Sequence, residues 1–265
     1  LLSVLILSLF VAVRADAGEF IFKVMPSPPS PDAASDEGAY NGWDVTVGYG
    51  QMYSSELYET RMYGGGAGIT WKGALGERLS FIMLPFYGGY YRGNSYGFSA
   101  DSWTLGAGGS FGARVLGTSK TSGLSLFGGL GYSWGLNSEV RPPGEFGGIS
   151  IPGDFDFRGE THFFGFAVGA KARIRLHKFV SLNPFYLYMA GGGRWNSTAT
   201  YNLLSINESI NGGLGYQDVH VIGLDFFIFG VTAKLLLDLF RDDYKMVTLS
   251  VDVISAVKGV KGVSE

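Results

Sequence analysis

The chain contains three histidines, His162, His177 and His220, and no cysteine. Imidazole is the side chain best suited to exchanging a proton near neutral pH. A hydrolytic site would set such a base beside a nucleophile and an orienting acid. His162 is followed by Phe163 and Phe164, and His220 by Val221 and Ile222, so no serine lies two residues beyond either one. Glu160 and Ser209 are expected in loops that could approach a histidine, but nothing in the sequence joins them to one. The expectation is that each histidine is an interfacial or turn residue. No catalytic residue, metal ligand or cofactor is expected, and no G-x-G-x-x-G or P-loop pattern occurs among the glycines.

A second group of residues offers electrostatics. Lys72, Arg114, Lys171, Arg173, Arg175 and Lys234 sit near the ends of alternating segments, each on the side that carries small residues. Asp44 opens the first such segment on the same side. Cations withdrawn from water need counter-charges.

These side chains are positioned by segments with a period of two, the signature of a strand. Over residues 103–115, Trp103, Leu105, Ala107, Phe111 and Val115 alternate with Thr104, Gly106, Gly108, Ser110 and Arg114. Residues 43–49, 124–136 and 162–176 repeat the pattern clearly. Residues 63–71, 79–91, 180–190 and 218–237 repeat it less cleanly, the last with a phase shift near 227–229 that a β-bulge would explain. One face is large and apolar; the other is Gly, Ser, Thr and charge. A soluble barrel has its bulk inside and its polarity outside. The inverse arrangement is that of a transmembrane barrel, whose tilted strands need about 9–11 residues.

Composition agrees. Only 16% of residues are charged, 42 are glycine, and the formal net charge is −3. Soluble domains have roughly 25% charged residues, and the absence of a basic field argues against nucleic acid as a partner. Residues 1–17 read as a signal peptide: an apolar run too short to span a bilayer as a helix, followed by Ala15-Asp16-Ala17. Residues 18–41, rich in proline and acid, read as a periplasmic linker.

Connections alternate between short and long, as expected for periplasmic turns and extracellular loops. The expectation is an all-β, antiparallel up-and-down transmembrane barrel of about eight strands over residues 42–239. Residues 240–265 are either a ninth strand or a C-terminal extension, and ten strands are expected if the chain continues beyond residue 265. On the signal segment and these alternating segments, the chain resembles the small bacterial outer-membrane β-barrels of the OmpA-transmembrane-like, OmpX-like and opacity-protein-like kind. The resemblance is architectural and implies an exported, Gram-negative outer-membrane protein.

With that architecture, Tyr87, Tyr90, Tyr91, Trp103, Tyr132, Trp134, Tyr186 and Tyr188 are expected to form an aromatic girdle at the headgroups. The cations with Asp44 are expected to line the lumen near its periplasmic mouth, as a salt-bridge plug or as an anion-attracting constriction. The plug is favoured, because a narrow lumen is filled by side chains. Expected partners are outer-membrane lipid and lipopolysaccharide, with an extracellular ligand at the long loops 138–160 and 195–217. The expected role is non-enzymatic, structural or surface contact. The alternatives are a narrow porin-like channel for small anionic solutes and a lipid-modifying barrel enzyme.

Overall fold

The computed structural model describes residues 42–257, except 55–59, 77, 96–97, 118–121, 142–143, 147–148, 152, 178–179, 229–230 and 239–244. The expected signal peptide, the linker and the last eight residues lie outside the described residues. The strands are β1 (Gly42–Ser54), β2 (Thr60–Leu75), β3 (Leu79–Ser95), β4 (Phe98–Leu116), β5 (Gly123–Arg141), β6 (Gly144–Phe146) and β7 (Ile149–Ile151). They continue with β8 (Phe155–His177), β9 (Val180–Tyr201), β10 (Ile206–Ile228), β11 (Val231–Asp238) and β12 (Lys245–Asp252). Ten of them close a single antiparallel barrel, and β6 with β7 forms a separate small hairpin.

Closure comes from β1 against β12, with Thr46 opposite Asp252 and Tyr53 opposite Lys245. Closure leaves no strand edge within lipid, where an unpaired peptide group costs several kcal/mol. Two of the turns at the end carrying the first residue of β1 use glycine with positive φ, Gly76 at 76° and Gly117 at 79°. A side chain at either position would be strained.

The strand count corrects the expected eight. Residues 218–237 are not one strand with a bulge. The chain reverses within them, because Ile228 pairs with Val231 and Phe226 with Ala233. The apparent phase shift near 227–229 therefore marks the reversal of direction from β10 to β11. Within residues 240–265, expected as a ninth strand or a C-terminal extension, Lys245–Asp252 forms the closing strand. The β10 bulge lies elsewhere, between Leu214 and Gln217.

The inverted pattern holds in three dimensions. Trp43, Val45, Leu105, Phe111, Leu130, Phe164, Phe166, Leu224 and Leu249 are exposed on the outer wall. Their neighbours on the opposite face, such as Asp44, Thr104, Ser110, Phe163 and Asp225, are buried in the lumen. The wall is uneven: β8 and β10 each run 23 residues, while β11 and β12 run eight. Residues 138–160 and 195–217, expected as long loops, are largely strand. β5 continues to Arg141, β8 starts at Phe155, and β9 and β10 join through a turn at 202–205. Their polar alternation reads as loop, but it is strand extended beyond the apolar belt into water.

Candidate functional site

Among the described residues, the buried charged side chains gather in the lumen. Its floor, at the end where β1 starts and β12 finishes, holds two ion-paired clusters. In the first, Lys72 on β2 contacts Asp252 on β12 and lies 3.8 Å from Asp44 on β1. Thr46 donates a hydrogen bond to the other Asp252 oxygen at 2.6 Å. Asp44 has a further role. Its carboxylate accepts from the backbone N–H of Val45 (2.8 Å), Ile254 (2.9 Å) and Ser255 (3.2 Å), and from the Ser255 hydroxyl (2.6 Å). Ile254 and Ser255 belong to a single helical turn, 253–257, that follows β12. Asp44 thus caps this turn from across the barrel seam, satisfying N–H groups that the turn leaves without intrahelical partners.

In the second cluster, Asp225 on β10 binds Lys171 on β8 at 2.6 Å and Lys234 on β11 at 3.8 Å. The Lys234 ammonium also lies over the Phe185 ring, 5.5 Å from its centroid. Arg114 and Arg173 are buried at the same end. Arg175 stands at the rim instead: its backbone N–H meets the Ser122 hydroxyl at 3.1 Å and its Nε the carbonyl of His177 at 3.4 Å. The fold therefore brings together six of the seven residues expected in the lumen and leaves Arg175 at the edge.

Sequence reasoning missed Asp225, Asp252 and Ser255. Asp225 carried a signal, since an acid set among Leu224, Phe226 and Phe227 is costly unless paired. Asp238, the last residue of β11, lies opposite Val221, away from the floor.

Beside this floor the lumen is apolar. Phe127, Phe163, Phe185, Leu187, Val219 and Val221 form one buried cluster with Met52, Met62 and Leu236, and Tyr91 packs against it. Phe163 and Leu187 are 0% exposed. The small residues facing this filling are matched to it: a Cβ on Gly106 would collide with the Tyr87 ring, and one on Gly223 with Phe185.

The aromatic expectation divides. Tyr90, Trp103, Tyr132, Trp134, Tyr186 and Tyr188 point outward. Tyr90 donates to Asp101 at 2.5 Å and its ring lies 4.6 Å from that of Trp103. Tyr87 and Tyr91 are corrected to the lumen. A register shift between Leu84 and Tyr87 reverses the phase of β3, so Ser80 and Ile82 face inward below it and Tyr87 and Tyr91 above it. An aromatic patch, not anticipated, lies at the opposite end on β1 to β3: Trp43 stacks on Trp71 at 5.9 Å, and Trp71 meets Phe81 edge-on at 5.2 Å.

Two histidines belong to the outer girdle. His162 Nδ1 meets the Tyr132 hydroxyl at 2.6 Å and Nε2 lies 3.2 Å from Glu160. His220 repeats the arrangement, with Tyr186 at 2.6 Å and Asp218 at 3.9 Å. Glu160 lies above the outward-facing apolar residues of β8, among them Phe164, Phe166 and Val168. The Trp134 indole N–H donates to it at 2.7 Å and holds its carboxyl below the usual carboxylate range. Ser209 meets Thr198 at 3.1 Å. Among the described residues no group of three His, Asp or Glu converges as a metal site would.

No known family matches the chain. No curated protein matches it either. The fold does have relatives among solved structures. The translocator domain of autotransporter NalP from Neisseria meningitidis superposes with a TM-score of 0.55 at 12% identity, over 91% of this chain and 95% of that one. A major outer membrane protein from Thermus thermophilus gives 0.39 at 10% identity, over 79% and 98%. Neisserial surface protein A gives 0.35 at 12%, over 80% and 97%. The likeness to the first establishes that the fold is that of an outer-membrane β-barrel.

Proposed function

We propose that this chain is a closed-lumen, non-enzymatic barrel of the bacterial outer membrane that supports the envelope and makes surface contacts through its outward hairpins. The observation that carries this reading is the filled lumen. Asp44, Ile82, Ser110, Ser133, Phe163 and Leu187 are each 0% exposed although none faces the lipid side. An aqueous pore would wet such inward side chains, as in wide barrels. Three cations of the floor, Lys72, Lys171 and Lys234, pair with Asp44, Asp225 and Asp252, which favours a plug over a constriction. Outer-membrane lipid and lipopolysaccharide are the partners suited to the outer wall, with tyrosine, tryptophan and histidine at headgroup level. The test is conductance of the purified barrel in planar bilayers. A silent barrel supports the reading. A steady current whose selectivity reverses on Arg173→Glu supports an anion channel instead.

A further inference from the structure

β10 rises well beyond the strand on its far side. It pairs with β9 over nearly its whole length, whereas β11 meets it only from Val221 to Ile228. Among the described strands none pairs with the other edge of residues 206–220. His220 and Asp218 sit at the top of the apolar belt, above Ile222, Leu224 and Phe226, so this edge stands in water. An unpaired edge is a template for a further strand, and proteins usually guard one with lysine, proline or a bulge. Residues 206–220 contain no lysine, arginine or proline. The bulge at Leu214 and Gln217 interrupts the edge near the membrane and leaves Ile206 to Gly213 in unbroken register with Tyr201 to Arg194.

We propose that residues 206–213 form a homotypic contact, pairing antiparallel with the same stretch of a second copy anchored in an apposed membrane. The inference rests on the surface-contact reading and names its partner. Copies in one membrane insert in the same direction, so their β10 strands run the same way and offer only the weaker parallel ladder. Copies in facing membranes present β10 inverted, which is the antiparallel arrangement. A register centred on Ile210 sets Ser209 opposite Asn211 and Asn207 opposite Gly213. Glu208, the only charged residue in the stretch, then meets Gly212 and never its own copy. Asn207, Ser209 and Asn211 are exposed on the outer face, ready for polar cross-strand pairs. Eight residues make a weak single contact, and many copies on each membrane multiply it.

The test uses the full chain in two dye-labelled liposome populations, with adhesion read by energy transfer after mixing. Wild-type vesicles are expected to adhere to each other and not to protein-free vesicles. A Ser209→Glu/Asn211→Glu protein, and separately a Ser209→Lys/Asn211→Lys protein, is expected to lose adhesion about tenfold, because like charges then oppose at every contact. Mixing the two charge variants restores adhesion. The chain has no native cysteine, so Ile210→Cys is expected to give disulfide-linked dimers between vesicles, Ile210 lying on the two-fold axis. Equal adhesion to protein-free vesicles, adhesion indifferent to both variants, or failure of the mixed pair to recover overturns the proposal. Capture of a foreign polypeptide that the variants leave unchanged also overturns it, while sparing the broader surface-contact reading. A conducting barrel that still shows charge-swap rescue separates the two ideas the other way.

Discussion

At the scale of single residues, the floor of the lumen is held by acids that each serve more than one partner. Asp225 answers both Lys171 and Lys234. Removing one member of a buried ion pair leaves an uncompensated charge. Asp225→Ala is expected to destabilise the barrel by roughly 3–5 kcal/mol in reversible urea unfolding, whereas Asp218→Ala, exposed on the outer wall, is expected to cost at most about 1 kcal/mol. Glu160 offers a pH-dependent prediction. Its folded carboxyl titrates below the ordinary value because it accepts from the Trp134 indole. Its contribution to stability is therefore full above the unfolded carboxylate pKa and is lost as pH falls through the lower folded value. Trp134→Phe is expected to move the Glu160 titration upward, read by carboxyl carbon NMR; an unmoved titration would assign the shift to another group. The cations of the floor are legible in the sequence because they share the small-residue face. Their acids are harder to read. Asp225 and Asp252 lie in segments whose pairing depends on where the chain reverses, and Ser255 reaches Asp44 only after the barrel has closed.

At the scale of elements, alternation identifies nearly every strand and fails where phase is decided by a partner. A hairpin reversal and a bulge both reverse alternation locally, and only hydrogen bonding distinguishes them. The shift near 227–229 is the reversal that turns eight strands into nine, and β12 makes the tenth. The real bulge in β3, between Leu84 and Tyr87, moves two tyrosines from the expected girdle to the lumen. This placement has a direct check, since any introduced cysteine is unique in the chain. Phe86→Cys is expected to react with a lipid-dissolved maleimide and Tyr87→Cys to resist it. Equal labelling would contradict the bulge. The polar upper halves of β9 and β10 read as loop in the sequence because a strand standing in water lacks the apolar face that marks a membrane strand.

At the scale of the whole molecule, the barrel is an uneven cup. Its wall is tall at β8–β10 and low at β11–β12, with a paired charged floor and an apolar filling. The inverted alternation that marks a membrane barrel accounts for the outer wall. It does not account for the filling, because Phe127, Phe163 and Phe185 are large residues on the face expected to be small. Those rings fit where neighbouring inward positions are glycine, as Phe185 does against Gly223. That filling is thus a property of the assembled ring, and the proposed function stands or falls with it. The decisive measurement is the current through single purified barrels in a planar bilayer under an applied voltage. A filled lumen predicts no sustained conductance above the bare membrane. A stable, stepwise open current in the wild-type protein would contradict it.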